Sequence, residues 1–234
     1  MDFDGNILIW AFLGGVIPAL LWLRFWIKED FNHPEPFRLI FLTFLGGMMM
    51  VPFALLLEKI AHSYVTSTII LFTLWAAIEE ILKFGAAYYV AFRKECIDKS
   101  KCLSDTMDPV IYLITAALGF AALENALSLL TPLASGDIWK SIVTGNLRFV
   151  GAMVLHVVAS ASVGVFMGFS FYRKPAFKKL YIAFGIFTAI ILHALFNISI
   201  ISESPHGLFL TFGAVWICVF ILLALFERIK EIRK

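Results

Sequence analysis

Apolar runs of about twenty residues follow one another along almost the whole chain, separated by short polar segments. This length suits an α-helix crossing the hydrocarbon core of a bilayer, which needs about 20 residues. Strands of a membrane barrel would instead be roughly 10 residues long, with alternating polarity. The predicted spans are 6–27, 38–58, 68–92, 109–131, 148–171, 179–201 and 207–226. The pattern therefore predicts an all-α membrane protein, a bundle of about seven transmembrane helices.

The composition agrees with a bilayer as the main solvent of the chain. Hydrophobic residues make up 61% and charged residues 15% of the sequence, and the mean hydropathy is +0.89. Soluble domains carry about 25% charged residues. The first span is long and aromatic, without a basic leader or small-residue cleavage site, so we expect a retained helix and not a signal peptide. We expect one polytopic transmembrane domain over residues 1–234.

The distribution of basic residues predicts the orientation, because Lys and Arg are retained on the cytoplasmic side of a membrane. One set of alternate loops holds most of the nineteen: Arg24, Lys28, Arg38, Arg93, Lys94, Lys99, Lys101, Arg173, Lys174, Lys178, Lys179, Arg228, Lys230, Arg233 and Lys234. The other set holds only Lys59, Lys140 and Arg148. We therefore expect the N-terminus outside and the C-terminus in the cytoplasm. The net charge of +2 then reflects topology, and no nucleic-acid partner is expected.

The three cysteines are not expected to form a disulfide framework. Cys96 and Cys102 fall in a basic loop that we place in the cytoplasm, and Cys218 falls in the last span. Reduced thiols are expected in that compartment.

Four consecutive predicted helices carry ionisable or amide side chains at membrane depth. These are Glu79, Glu80 and Lys83 in the third span, Glu124 with Asn125 in the fourth, His156 in the fifth, and His193 with Asn197 in the sixth. An ionisable group inside a membrane helix costs about 2.5–3.5 kcal/mol on insertion scales and usually marks function or a partner. At a rise of about 1.5 Å per residue, they lie roughly 10–17 Å below the outer ends of their helices. We therefore expect them in one slab of the outer half of the membrane.

Helical spacing indicates how these side chains meet. Residues three or four apart share a helix face, so Lys83 can neighbour both Glu79 and Glu80, and His193 projects together with Asn197. Carboxylates and imidazoles that converge in a cavity of low dielectric constant supply a base, an acid and oxyanion donors for amide hydrolysis. In the fifth span, small residues follow His156 at spacings of four, which indicates a closely packed inward face.

Each element also has a structural interpretation. Glu79 and Glu80 can form an ion pair with Lys83, and the remaining polar side chains can make hydrogen bonds between helices. A proton-coupled transporter could use the same groups as a relay, but the repeated halves and broken helices of many carriers are not found. A non-catalytic membrane scaffold would not need both glutamates and both histidines. Glu58, beside Lys59, and the loop histidines are expected to be solvated; those histidines are His33, His62 and His206.

The ordered elements resemble the PrsW family of intramembrane proteases, distant relatives of the CAAX prenyl endopeptidases. The resemblance rests on Glu79-Glu80-Ile-Leu-Lys83, Gly119-Phe120-Ala-Ala-Leu-Glu124-Asn125, His156 with Gly164 and Gly168, and His193-Ala-Leu-Phe-Asn197. It covers about residues 35–200. The CAAX enzymes carry EExxxR, so Lys83 stands one position earlier in this chain.

The resemblance implies site-specific cleavage of a membrane-tethered protein, typically an anti-sigma factor, on the extracytoplasmic side of a bacterial cytoplasmic membrane. It implies Glu79 as the base that activates water, supported by Glu80 and Lys83. The water site would be lined by Glu124 and His156. The scissile carbonyl would be polarised by His193 and Asn197.

No cofactor is expected, and a glutamate mechanism without metal is favoured because the sequence has no HExxH motif. Zinc is the alternative, since carboxylates and imidazoles are among its ligands. A zinc site would use Glu79, Glu124, His156 and His193. The expected partners are the lipid bilayer and a membrane-anchored protein substrate.

Overall fold

A computed structural model of the chain describes residues 4–29, 34–93, 103–201 and 205–232. Within these ranges the protein forms α-helices and no strands. The helices are α1 (Gly5–Glu29), α2 (Phe37–Tyr64), α3 (Thr68–Ala87), α4 (Asp108–Ala134), α5 (Ile138–Leu147), α6 (Met153–Phe169), α7 (Pro175–Ile201) and α8 (Pro205–Lys230). Cys96 and Cys102 lie outside the described residues.

The seven predicted spans correspond to α1, α2, α3, α4, α6, α7 and α8, so the all-α membrane fold is confirmed. Six helical stretches of the described chain are long and apolar enough to cross a membrane. The third helix is not among them, since its twenty residues include the three charged side chains of Glu79, Glu80 and Lys83. It continues through a π-helical turn at Tyr88–Phe92, which completes the predicted span.

The polar segment after α4 forms a short helix of its own. The carboxylate of Asp137 accepts a hydrogen bond of 2.8 Å from the backbone N–H of Lys140, which caps the start of α5. A π-helical turn at Arg148–Ala152 then joins α5 to α6, so that residues 138–169 form one continuous helical stretch. Such π-turns are frequent at functional sites.

The bundle is organised around α4, which packs against α1, α2, α3 and α6. The close contact between α2 and α4 depends on two glycines. A Cβ added at Gly47 would lie 2.0 Å from the carbonyl oxygen of Ala116, and one added at Gly119 would lie 2.0 Å from that of Phe44. Small residues drive helix association in membranes because they let two backbones approach. This contact holds α2 against the centre of the bundle.

The predicted inward face of the fifth span is confirmed. A Cβ added at Gly164 would lie 2.5 Å from the Cα of Val110, so α6 packs directly on the backbone of α4. On the same face, His156 is 3% exposed and Ser160 is 1% exposed. The packing of α6 therefore turns the imidazole of His156 into the bundle and away from lipid.

Candidate active site

A polar cavity of about 310 Å³ lies among α2, α3, α4, α7 and the start of α6. Its polar lining consists of Glu58, Glu79, Glu124, Arg148, His156, His193 and Asn197. The residues from α2, α4 and α7 belong to the second halves of their helices, while those of α6 belong to the first half and those of α3 to the first half of the helical stretch 68–92. Because neighbouring helices alternate in direction, all of them lie toward the same end of the bundle. This is the arrangement that the helical depths predict.

Lys83 is fully buried at the centre of the charged groups. Its Nζ lies 2.7 Å from Glu80 Oε1, 3.3 Å from Glu79 Oε2 and 2.7 Å from Nδ1 of His156. An ammonium group has donors only, so Nδ1 of His156 must accept. The opposite nitrogen, Nε2, then carries the proton and donates to Glu124 Oε2 at 2.8 Å. These partners assign a neutral tautomer to His156.

Glu80 is 2% exposed and does not line the polar cavity. In addition to Lys83, it accepts hydrogen bonds of 2.8 Å from Nδ1 of His193 and from the hydroxyl of Ser160. Three donors from three helices thus surround one carboxylate. The arrangement fixes Glu80 in place and orients the imidazole of His193.

Glu79 faces the polar cavity, and its Oε2 is buried with no hydrogen-bond partner among the described residues. This oxygen lies 3.8 Å from Nε2 of His193 and 3.8 Å from Nδ1 of His156. Since Nδ1 of His193 donates to Glu80, its Nε2 bears a lone pair. Three acceptor atoms therefore face one another, and Nδ1 of His156 already accepts from Lys83. The arrangement suits a water molecule that donates to Glu79 Oε2 and to Nε2 of His193, or a metal ion that takes the place of the ammonium.

The same three residues fit a zinc ion. Glu79, His156 and His193 each offer one ligand atom, and these atoms lie within 4.8 Å of one another. Two imidazoles and one carboxylate are a known donor set of catalytic zinc, and bond lengths near 2.0–2.1 Å imply ligand separations of roughly 3.4 Å. A carboxylate on the far nitrogen of a ligating imidazole, like Glu80 on His193, is also usual in zinc sites. Binding would require a slight contraction and displacement of Lys83 from His156.

Glu124 was expected among the zinc ligands but lies outside that group, on the far side of His156. Its Oε1 accepts a hydrogen bond of 2.5 Å from Nη2 of Arg148, while Nε of Arg148 donates to Asn125 Oδ1 at 2.5 Å. The sequence placed Arg148 among the charges of the outer loops, whereas the structure places it in the polar cavity. The sequence did contain a signal for this role, since Arg148 stands two helical turns before His156 at the boundary of an apolar run.

Glu58 was expected to be solvated, and the structure corrects this. Its side chain is half-buried and lines the polar cavity together with Glu79. The indole N–H of Trp75 donates to the backbone carbonyl of Glu58 at 3.2 Å, which ties the end of α2 to α3. His62, one turn further, is exposed as expected. His33 and the side chain of His206 lie outside the described residues.

Asn197 completes the polar lining of the cavity. It follows His193 by one turn on α7, and both side chains reach the same cavity, as their spacing predicts. Six of the seven expected site residues are thus joined to one another by direct side-chain contacts in or beside the polar cavity. The seventh, Asn197, lines the same cavity.

Comparison with known proteins gives a consistent result. A model of the PrsW family, described as intramembrane metalloproteases, matches residues 35–225. Protease PrsW of Halalkalibacterium halodurans is 24% identical over 83% of this chain and 85% of its own length. Protease PrsW of Oceanobacillus iheyensis is 26% identical over 84% and 86%. Protease PrsW of Clostridioides difficile is 24% identical over 82% and 79%.

No solved structure matches the chain significantly. The family match includes all seven residues expected at the site, and the relatives are bacterial proteases that align with this chain over most of their length. The chain therefore belongs to the PrsW family of intramembrane proteases, and it is a multi-pass membrane peptidase.

Proposed function

We propose that this protease cleaves a membrane-tethered protein site-specifically on the extracytoplasmic side of a bacterial cytoplasmic membrane, using water activated by Glu79. The observation that carries the proposal is the buried Oε2 of Glu79, which faces two imidazole nitrogens in the polar cavity. A water molecule that donates to Glu79 Oε2 and to Nε2 of His193 would be held beside a base. The substrate class that the family resemblance suggests is an anti-sigma-like protein, which would place the enzyme in regulated proteolysis and signal transduction.

The side of the membrane is proposed from charge. The end of the bundle that contains the polar cavity is flanked by Lys59 and Lys140, whereas most Lys and Arg residues flank the opposite end. The positive-inside rule then places the cavity toward the outside, with the N-terminus outside and the C-terminus in the cytoplasm. The scissile bond would be presented in the outer half of the bilayer.

In the proposed reaction, Glu79 takes one proton from the water as the water oxygen attacks the scissile carbonyl carbon. The carbon–nitrogen bond then breaks, and the same proton passes from Glu79 to the leaving amine. The immediate products are a carboxylic acid and an amine, one on each fragment, and the acid then passes the second proton of the water to the amine or to solvent. Lys83 and Glu80 keep Glu79 in place and offset the charge around it. A positioned base of this kind contributes about 10²–10⁴ to a rate.

The carbonyl-polarising donor is assigned to Asn197. Its amide has two N–H donors and lines the polar cavity one turn from His193. The family resemblance implied that His193 and Asn197 together polarise the scissile carbonyl. Because Nδ1 of His193 donates to Glu80, its Nε2 accepts, which suits the water better than a developing oxyanion.

A mechanism without metal is favoured because Lys83 already holds Nδ1 of His156, the atom that a metal would need. The family description, however, names metalloproteases. Glu79, His156 and His193 would hold that ion, which supplies Lewis-acid activation of water or carbonyl when bound. The mechanisms with and without metal place the same residues around the water. A measurement of the metal content of the protein distinguishes the two mechanisms.

The test is a comparison of shed membrane-protein ectodomains in cells that carry the wild-type chain, the Glu79→Gln variant or no copy. The control variant is Glu231→Gln, which changes an exposed carboxylate. We expect at least one ectodomain to be released by the wild-type and control chains only. Release that is equal in the Glu79→Gln cells, at equal amounts of folded enzyme, would overturn the proposal.

A further inference from the structure

An apolar groove lies on the lipid-facing side of the bundle where α7 and α8 meet over α6. We name it the α7–α8 groove and define it by Leu155, Leu195, Phe196, Thr211, Ala214 and Cys218. Its volume is about 140 Å³, which accommodates side chains of a helix laid against it. The two outer helices contact each other sparsely and both pack on α6, so the groove is open to lipid.

The lining of the α7–α8 groove is continuous with the lining of the polar cavity. Leu155 and Phe196 line both of them. Leu155 directly precedes His156 on α6, and Phe196 directly precedes Asn197 on α7. A chain that lies in the groove is therefore separated from the catalytic groups by two apolar side chains only.

Two other apolar grooves on the described surface lack this continuity. One lies between α1 and α4 and includes Phe12 and Leu127. The other lies between α1 and α8 and includes Trp22 and Phe220. Neither shares a lining residue with the polar cavity. Lipid acyl chains can fill any of the three, whereas a substrate that must reach Glu79 from the membrane requires continuity.

The residues of the α7–α8 groove also suit a helix better than those of the α1–α8 groove. Its lining includes the small or hydroxyl-bearing side chains of Ser199, Thr211 and Ala214. Such residues are typical of helix–helix interfaces in membranes, where association depends on close packing and not on the hydrophobic effect. The α1–α8 groove is lined by large apolar side chains alone.

We propose that the α7–α8 groove receives the transmembrane segment of the tethered substrate, whose scissile bond reaches Glu79 by passing between Leu155 and Phe196. This inference rests on the proposed function. It assigns the occupant as one membrane-spanning helix with apolar side chains facing the groove. The flanking extracytoplasmic residues of the substrate would unwind into the polar cavity.

Cross-linking tests the occupant directly, and Cys218 supplies a native probe within the groove. Cys96 and Cys102 are changed to Ser, and Glu79→Gln prevents turnover. The probe is the transmembrane segment of the protein whose ectodomain release depends on Glu79, tagged at both ends and carrying one cysteine at successive positions. Matched controls carry Cys218→Ser together with Leu127→Cys or Phe220→Cys, which place the thiol in the other two grooves.

We expect at least tenfold more cross-linked product through Cys218 than through either control, with a maximum every three to four probe positions. Equal yields from the three grooves would indicate a lipid-filled surface and overturn the proposal. Since the enzyme is inactive in this experiment, the result does not depend on catalysis. If no ectodomain depends on Glu79, the proposed function fails first and this inference fails with it.

A groove-filling variant gives a second, independent measurement. Ala214→Phe is expected to slow release of the tethered substrate at least tenfold while the thermal unfolding temperature stays close to that of wild type. Leu127→Phe, which fills the groove between α1 and α4, is the matched control and is expected to leave release unchanged. If a folded Ala214→Phe enzyme releases the substrate at the wild-type rate, the proposal that the groove binds the substrate is wrong. The proposed proteolytic function would not be affected by that result.

Discussion

The ammonium of Lys83 lies 2.7 Å from Nδ1 of His156 and 2.7 Å from Oε1 of Glu80, and so connects the two histidines of the site. Glu80 holds His193, while His156 holds Glu124 through its other nitrogen. The network thus compensates most of the buried charge of four helices through direct contacts. Among its carboxylate oxygens, the one that faces both imidazoles without a hydrogen bond is Oε2 of Glu79. It lies 3.3 Å from the ammonium of Lys83, which balances its charge, and it can still accept a hydrogen bond from a water molecule.

Lys83→Met should impair both activity and stability. Removing the ammonium leaves Glu79 and Glu80 without their cation in an apolar interior, and breaking a buried ion pair in this way costs about 3–5 kcal/mol. We expect substrate release to fall at least 100-fold and the unfolding midpoint in detergent to decrease. Lys83→Arg retains the charge and should retain more stability. A Lys83→Met enzyme with wild-type unfolding and release would show that the ion pair has no such role.

Substitutions of the two adjacent glutamates should differ in their effects on substrate release and on stability. Glu79→Gln should abolish release with a smaller change in unfolding than Glu80→Gln, because Glu79 Oε2 makes no hydrogen bond and lies 3.3 Å from the ammonium of Lys83, whereas Glu80 Oε1 lies at 2.7 Å. Glu80→Gln should lower release by about 10–100-fold, as expected for a residue that orients a catalytic imidazole. It should also lower stability, since Glu80 accepts from Lys83, His193 and Ser160. Release rates and thermal unfolding of both variants are the measurements, and Ser160→Ala should show a smaller loss than Glu80→Gln. Full proteolysis by the double glutamine variant would exclude the glutamate mechanism.

Arg148 should act through Glu124. Arg148→Gln removes the 2.5 Å contact that holds Glu124 against His156, and we expect kcat to fall by about 10–100-fold with a smaller change in KM. Arg148→Lys should restore part of kcat. The matched control is Lys140→Gln, which changes an exposed basic residue of the neighbouring helix α5. A change in KM alone would indicate that Arg148 contacts the substrate and does not position Glu124.

Gly47 and Gly46 offer a paired test of the α2–α4 contact. A Cβ at Gly47 would overlap the backbone of Ala116, and such overpacking costs about 1–3 kcal/mol. At Gly46 the nearest atoms to the added Cβ lie at 3.7 Å, an ordinary contact. We expect Gly47→Ala to lower the unfolding midpoint, whereas Gly46→Ala should be neutral or stabilising because Ala favours helices over Gly by about 1 kcal/mol. Equal midpoints for the two variants would show that α2 can move away from α4 without cost.

Metal removal should leave proteolysis intact if Lys83 supplies the positive charge of the site. After exhaustive dialysis against a strong chelator, we expect unchanged release and less than stoichiometric zinc by elemental analysis. Three results together would reverse this prediction. The wild-type chain would contain one zinc ion, the His193→Ala variant would lose both the zinc and the activity, and zinc alone would restore activity to the chelated wild type. Elemental analysis of the inactive Glu79→Gln variant provides a readout that does not depend on turnover.

Much of the fold could be predicted from the sequence, for a local reason. A membrane-spanning segment must satisfy its own backbone hydrogen bonds, so an apolar run of sufficient length becomes a helix whatever surrounds it. The site residues of α3, α4, α6 and α7 were predicted on similar grounds, because an ionisable side chain in the middle of such a run is too costly to keep without a purpose. Glu79 and His193 needed no tertiary information to be recognised as candidates.

Residues at the ends of the apolar runs were not predictable in this way. Glu58 and Arg148 stand where a charged side chain can turn either to water or into the bundle, and only the helices packed beside them decide. The π-helical turn that carries Arg148 is likewise invisible in a hydropathy pattern. The sequence therefore assigned Glu58 to solvent and counted Arg148 with the outer loops, whereas the structure places both in the polar cavity.

By itself, the sequence determined the helical type of the long apolar segments and which of them carry buried charge, since both depend on side chains within one segment. Tertiary structure alone decided which atoms meet. It grouped Glu79 with the two imidazoles, placed Glu124 beyond His156 and opened the α7–α8 groove beside them. These relationships depend on the rotation of each helix about its axis. That rotation is set by contacts between helices, such as those at Gly47 and Gly164, and not by the polarity of any single one.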